Sequence, residues 1–482
     1  MENLLSFLSG LLWDWPLLVL ILSTGIYFTV SSGFFQFKYF KHIFQNTIMS
    51  KSNRDDSESI TPKPSETFYS AVATTAGIGN ITGVATAITF GGPGALFWLI
   101  VTGFIGMIIK MAEVTLAVYY RDQTEDGYFE SSPMHYIEKG IGKGMNFGSL
   151  KIPIYLFAIG LFSTVPFTIQ NYYASVSISS SLNIPALAVS LVYAAIVYIT
   201  IFKGISSYGK VMKNIFPVVI LIYIASGILV ILFNMSYIIP SIKLIFQDAF
   251  NFGSITGGIA GESIAEVMKQ GISRGLYSNE SGWGTSPMLH SQADTDHPVK
   301  LGLWGVIEVF IDTIVICVTT GIVVVIAISA GESSLGYELV VEAFSLGIGS
   351  LSNIVVPITI FIFGLTATVG WYFYSAAALK FIFRSSKNVS TILKGLRLVY
   401  PLGGVFNTIY FLNQDNPTSI LWSMSVIILG FPIIINMFAI LVLSNKFFDL
   451  LKDYELKYIT GGPIEEENPI FYEEEDISYF NY

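Results

Sequence analysis

Three glycines crowd one short and very apolar stretch, ATTAGIGNITGVATAITFGGPGA: Gly77, Gly79 and Gly83. NFGSITGGIAGESIAEVMKQGISRG repeats the pattern with Gly253, Gly257, Gly258 and Gly261. Glycine is a poor helix former, and a helix broken in lipid leaves N–H and C=O groups with no water to receive them. Released N–H groups at the start of a half-helix suit a carboxylate, which the helix dipole also favours. Released carbonyls with nearby hydroxyls suit a small cation. The competing reading is close packing, because Gly79 and Gly83, like Gly253, Gly257 and Gly261, also have the spacing of small-residue seams. Two clusters at matching places in two halves of a chain favour a binding site over packing.

Ionisable residues inside apolar segments are the second chemical signal, since an acid within a membrane helix points to a functional site. Glu262 and Glu266 stand one helical turn apart beside the second glycine cluster. Glu262 can pair with an ammonium, extend a cation site or take up a proton; the competing reading is a water-facing or internally paired acid. Lys110 and Glu113 are expected to form a local i,i+3 pair. Glu308 and Asp312 share a helical face by i,i+4 spacing, where like charges need water, a cation or a proton. The single cysteine, Cys317, excludes an internal disulfide framework and a cysteine-rich metal site. His42, His135, His290 and His297 form no HExxH pattern, and neither a G-x-S-x-G elbow nor a phosphate loop is present. The chain is therefore not expected to be an enzyme, and no cofactor is implied.

The elements that position these residues follow from composition. Of 482 residues, 52% are hydrophobic and 12% charged, against about 25% charged in a soluble domain. The mean hydropathy is +0.63. This excess of apolar side chains calls for lipid as solvent. The net charge of −9 comes largely from one tail, EEENPIFYEEED, read as a solvated disordered end, and no basic run suggests nucleic acid. MENLLSFLSGLLWDWPLL lacks a basic region and a small-residue cleavage site, so it reads as a retained helix.

A hydrocarbon core needs about 20 apolar residues per helix. Eleven spans are expected near 12–33, 68–90, 93–120, 151–180, 184–202, 211–234, 253–276, 301–330, 350–384, 391–412 and 417–445. Basic residues of alternate links then fall on one side: Lys38, Lys41, Lys51, Arg54 and Lys63; Arg121, Lys139, Lys143 and Lys151; Lys203, Lys210 and Lys213; Lys269, Arg274 and Lys300; and Lys380 to Arg397. The expected topology places the N-terminus outside and the C-terminus in the cytoplasm. One plus five plus five spans would put 68–90 and 253–276 in opposite directions, as an inverted repeat requires. The expected organisation is an extra helix and link (1–67), a first five-helix set (68–234), an outer link (235–252), a second set (253–445) and an acidic tail (446–482).

GIGNITGVATAITFGGPGALFWLIVTGFIGMIIKMAEVTLAVYYR resembles the signature region of the alanine or glycine:cation symporters. GLYSNESGWGTSP, followed by HPVKLGLWGVIEVFIDT, resembles a second signature, and SSPMHYIEKGIGKG agrees more weakly. The likeness runs from about Glu66 to about Phe383. It implies an all-α polytopic membrane protein of the leucine-transporter type, within the amino acid–polyamine–organocation superfamily. Two discontinuous helices, sodium-driven symport of a small neutral amino acid, typically alanine or glycine, by alternating access, and a prokaryotic cell membrane are implied with it.

The resemblance also implies roles. Thr75, Ile78, Gly79 and Asn80 would face substrate, with the Ile78 and Gly79 amides as carboxylate donors. Phe167 and Gln170 would complete the pocket, Ile259 and Ser263 would wall the side-chain end, and Trp371 would close another wall. Sodium would take the carbonyls of Ala73, Ala76 and Phe363 and the Thr366 hydroxyl; the competing reading of Thr366 is a bond back to its own helix. Three departures matter. GIGN stands where relatives commonly read GTGN, Thr366-Ala367 replaces a pair of hydroxyls, and Glu262 stands where relatives have small residues. Proton coupling through Glu262 is therefore the runner-up to sodium. An ion channel is the reading from another class, disfavoured because the membrane charges are few and scattered. Ile259, in place of a frequent aromatic, would admit side chains larger than alanine's. Oligomeric state is not legible.

Overall fold

A computed structural model describes residues 10, 13, 15–50, 61–163, 169–250, 264–413 and 419–461. The described residues are overwhelmingly helical, and a two-stranded ribbon pairing Asp122 with Glu130 is their only sheet. Helix α1 (Trp15–Ser31) is followed by α2 (Pro64–Thr75), α3 (Thr82–Gly91) and α4 (Ala95–Tyr119). Then come α5 (Lys151–Ser163), α6 (Gln170–Leu182), α7 (Ala186–Lys203), α8 (Ile205–Phe233) and α9 (Met235–Phe250). The second part comprises α10 (Ile264–Asn279), α11 (Pro298–Ala330), α12 (Gly336–Ile348), α13 (Ser352–Ile382), α14 (Val389–Leu412), α15 (Ser419–Val442) and α16 (Ser444–Glu455).

Four of these helices, α4, α7, α8 and α11, and the combined stretch of α12 and α13 are long and apolar enough to cross a membrane, and shorter apolar helices such as α1, α3 and α5 accompany them. A 25-residue helix such as α4 is about 37 Å long, enough for the hydrocarbon core. Helix α8 shows the lipid-facing pattern: Tyr223 and Phe216 are buried while Leu221, Ile222, Leu232 and Phe233 stay exposed. The expected span 151–180 is described as two helices, α5 and α6, on either side of 164–168. The links after α8 and before α13 carry helices of their own, α9 and α12.

Helix α4 is the spine. From Met107 to Tyr119 every residue of it is buried. Small residues let its neighbours close in, as in membrane seams. On α10, a Cβ at Gly271 would lie 2.2 Å from the Ala95 carbonyl, and one at Gly275 2.9 Å from Thr102 Cβ. On α11, a Cβ at Gly302 would lie 2.2 Å from Thr115 Oγ1, and one at Gly305 3.1 Å from Lys110 Cγ. Thus α10 runs parallel to α4 and α11 antiparallel to it.

This register corrects one expectation. Lys269 and Arg274 lie near the Ala95 end of α4, whereas Lys300 lies near its Tyr119 end. One side of a membrane cannot hold all three. Helix α10 continues to Asn279, beyond the end expected from hydropathy, because the polar residues of its last turn, Ser278 and Asn279, are buried rather than solvated.

At the Tyr119 end, α16 ties distant segments together. Glu455 accepts from Lys38 at 3.4 Å and from Tyr39. Tyr454 Oη lies 3.0 Å from His42, and Asp453 lies 3.1 Å from His297. Arg384, just past α13, makes a bidentate pair with Glu138 at 2.8 and 2.5 Å.

Candidate functional site

Helix α2 starts at Pro64, whose ring suits the first helical position, and Glu66 Oε2 accepts from the Lys63 amide at 3.4 Å. It stops at Thr75. Ala76 leaves helical geometry at ψ 83°. The Gly77 N–H, which in a continuous helix would donate to the Ala73 carbonyl, turns to Thr75 O at 2.8 Å and Asn80 Oδ1 at 3.1 Å. A single 3₁₀ turn, Ile78–Asn80, precedes α3. The Ile78 N–H reaches Gln170 Oε1 at 3.4 Å. Among the described residues the Gly79 N–H has no partner.

A cavity of about 480 Å³ opens beside this turn. Ile78, Gly79 and Gln170 line it, as the resemblance implied, together with Thr82, Gly83, Ser273, Arg274 and Tyr277. Thr75 and Asn80 do not line it. Thr75 Oγ1 is buried within 2.7 Å of Ala71 O and 3.2 Å of Glu308 Oε1. Asn80 Nδ2 donates to Asp312 Oδ1 at 2.6 Å, and the Asn80 carbonyl accepts from Thr320 at 2.9 Å. Trp371 is likewise outside the lining, its Nε1 donating to Glu280 Oε1 at 3.2 Å. Phe167, Ile259, Glu262 and Ser263, with the glycine cluster 253–261, lie outside the described residues.

A second interruption is described further along, in SNESGWGTSP. Helix α10 ends at Asn279, and Glu280, Gly282 and Gly284 take φ of 51°, 89° and 72°. The chain resumes as one helical turn at Pro287–His290. Its polar groups are buried and most are paired, the Trp283 Nε1–H and His290 Nδ1 being exceptions among the described residues. Lys110 Nζ donates to the Glu280 carbonyl at 2.9 Å and to Ser286 Oγ at 3.0 Å. Glu113 Oε1 accepts from the Gly284 N–H at 2.9 Å and from Asn436 Nδ2 at 2.5 Å. Thr285 Oγ1 donates to Glu280 Oε2 at 2.6 Å.

The expected local pair between Lys110 and Glu113 is therefore not formed. Each turns to the second interruption, because that segment offers released backbone groups of the complementary polarity. Lys110 instead pairs with Glu308 at 3.8 Å, with both side chains fully buried. Ser286 Oγ and His290 Nε2 also meet Glu308, at 2.5 and 2.7 Å. Glu308 thus touches both interruptions, through Thr75 and Ser286. Asp312 does not share its surroundings. A π-helical stretch, Phe310–Cys317, carries extra residues per turn, and Asp312 is held by Asn80, by Ser278 at 2.7 Å and by Thr313 at 3.1 Å.

Around the expected sodium ligands, α13 backs directly on the first interruption. A Cβ at Gly77 would lie 3.6 Å from Ala367, and one at Gly370 1.9 Å from Thr74 Oγ1. Thr366 Oγ1 donates to the Phe363 carbonyl at 3.1 Å, the bond back to its own helix. The turn at Gly77 leaves Ala73 O without its helical donor. Carbonyl and hydroxyl oxygens of this kind suit a hard, singly charged cation; among the described residues no cluster of His, Cys, Asp and Glu could hold a transition metal.

Known proteins resemble this chain over nearly its full length. The profile of the sodium:alanine symporter family matches residues 1–467. An uncharacterized transporter of Bacillus subtilis, YflA, is 32% identical over 92% of each chain. A probable sodium/glutamine symporter, GlnT, of the same organism is 30% identical over 98% of this chain and 94% of its own. A sodium/alanine symporter, AgcS, of Methanococcus maripaludis is 31% identical over 92% of this chain and 95% of its own.

Proposed function

Because the chain belongs to the sodium:alanine symporter family, an integral multi-pass membrane family of transporters, we propose that it couples inward sodium movement to uptake of a small neutral amino acid. The reading rests above all on one observation: the Ile78 and Gly79 amides, released by the break in α2–α3, stand at the wall of a 480 Å³ cavity. An amino-acid carboxylate is the anion such amides suit. Sodium would sit behind them, between the Ala73 and Ala76 carbonyls and the Phe363–Thr366 turn of α13. The substrates after which two relatives are named, alanine and glutamine, bracket the size class, with glycine as the lower bound.

Cation binding at the break would stabilise the arrangement that receives substrate, and linkage makes that coupling reciprocal. Alternating access would follow from rocking of α2, α3 and α10 with their immediate neighbours against the remaining helices. Eleven spans as one plus five plus five, with the N-terminus outside, remain the topology we assign.

Uptake of labelled L-alanine, L-glutamine and glycine into proteoliposomes, with sodium replaced by choline at constant pH, tests the reading. Uptake that persists unchanged in choline defeats sodium coupling. A second reading, proton coupling, is favoured by one feature. The Asp312 carboxylate is fully buried beside the first interruption and is met by neutral donors, with no cationic partner among the described residues. Uptake driven by a pH gradient in choline would select it.

A further inference from the structure

Of the two basic side chains that line the cavity, Lys269 is neutralised by Glu266 at 2.8 Å, an acid that also accepts from Gln270 at 2.6 Å. Arg274 has no ion-pair partner among the described residues. Its described contact is the Tyr277 ring, with Cζ 5.7 Å from the centroid. Asp312, an acid of the same region, has its oxygens occupied by Asn80, Ser278 and Thr313. A guanidinium held in partly buried surroundings without a counter-ion is costly, and the cost is recovered when an anion arrives.

The chain makes room for this arginine. A Cβ at Gly83 would lie 2.2 Å from Arg274 Nη1 and 2.4 Å from Cζ, so any side chain there would displace the guanidinium. A Cβ at Gly79 would lie 3.3 Å from the same Nη1. The guanidinium therefore stands over the first interruption, beside the Gly79 N–H that has no partner of its own. Gly83 is thus explained by space for a cation, with no demand for unusual backbone angles. An arginine fork and a free backbone amide on neighbouring residues can together hold a planar, two-oxygen anion.

We propose that Arg274 contacts the substrate and determines its specificity, reading the α-carboxylate together with the Gly79 amide; the inference rests on the transport reading above. The seat demands a ligand with a free carboxylate and rejects the same molecule as a neutral amide. It places no demand on the side chain, which is consistent with relatives named for substrates as different as alanine and glutamine.

The test uses the purified full-length protein in sodium, with binding of labelled L-alanine and L-glutamine and competition by L-alaninamide and L-glutaminamide. Wild type is expected to prefer acid over amide by about tenfold or more. Arg274→Gln should lower affinity for the acids by about tenfold to a hundredfold and leave that for the amides little changed, and Arg274→Lys should recover part of the preference. Gly83→Ala keeps the charge but pushes it aside, so it should move the ratio the same way. A ratio of acid to amide is insensitive to the amount of folded protein, which separates a contact from a purely structural role. An unchanged ratio in Arg274→Gln overturns the proposal. Should that variant not fold, an unchanged ratio in Gly83→Ala, or equal acceptance of amide and acid by wild type, overturns it. Wild type that binds neither amino acid in sodium defeats the transport reading and this inference with it.

Discussion

The two interruptions solve one problem, released backbone in a dry interior, by opposite means. At the first, Gly77 has an ordinary φ of −103°, and the space left by Gly77, Gly79 and Gly83 is filled by the polar ends of Gln170 and Arg274. One amide stays without a partner and a cavity lies alongside. At the second, the glycines are needed for conformation, with φ of 89° at Gly282 and 72° at Gly284, and the chain packs against Met437 and Pro133. Its backbone is sealed by Lys110, Glu113 and Asn436. Glycine at one break leaves room for two polar side-chain ends beside a cavity, and at the other it permits a tight fold around a buried ion pair. The proposed binding role therefore falls to the first, beside the cavity, and the second is packed and tied by side chains of other helices.

The strongest way to break this contrast is Lys110→Met. It leaves Glu308 buried without its cation, and the loss is expected to reach about 3–5 kcal/mol, read as a large fall in melting temperature and abolished uptake. Adding Glu308→Gln should recover part of the melting temperature; no recovery would show that the pair is not what holds the segment. Next is Gly284→Ala, which combines a left-handed backbone with a Cβ 2.3 Å from Pro133 Cγ and should cost about 3 kcal/mol. Gly79→Ala meets only the mobile end of Arg274, at 3.3 Å, and should cost less than about 1 kcal/mol while still impairing uptake. Equal melting temperatures for these two variants would erase the distinction between them.

Asp312→Asn removes the charged acceptor of Asn80 and sharpens the picture of the first break. A loss of about 2 kcal/mol is expected, with uptake falling more than expression. The smallest effect is assigned to Trp371→Phe, which loses one bond to Glu280, about 1 kcal/mol, and keeps the ring. A drop in uptake as deep as that of Lys110→Met would mean that Trp371 contacts substrate after all.

The first break was legible because GIGN places its glycines among residues too apolar for a loop, and the structure puts Ile78, Gly79 and Gln170 around one cavity. The second was read from the density of glycines at 253–261, outside the described residues, while the described interruption lies in SNESGWGTSP. That string is polar enough to pass for a solvated link. Ser281 and Ser286 are nonetheless fully buried, since the groups that pair with them come from α4 and α11, and α15 reaches the Gly282 carbonyl through Asn436. Arg274 was missed for the same reason: a charge in a weakly hydropathic segment reads as a cytoplasmic anchor unless its neighbours are known. The π-helical stretch of α11 was equally hidden. Spacing of four suggested that Glu308 and Asp312 face one way, whereas the extra residues per turn deliver them to separate partners.

The clasp formed by α16 has a mechanical consequence. Residues 38–42, His297 and 453–455 come from the beginning, the middle and the end of the described chain, yet they meet within hydrogen-bond distance. Whatever swings α1 and its link at the Tyr119 face must drag the start of α11 with it, or else snap every one of these bonds in a single step. Helix α16, the last of the described helices, therefore acts as a tie rod, making early and late segments of the described chain travel as one lever.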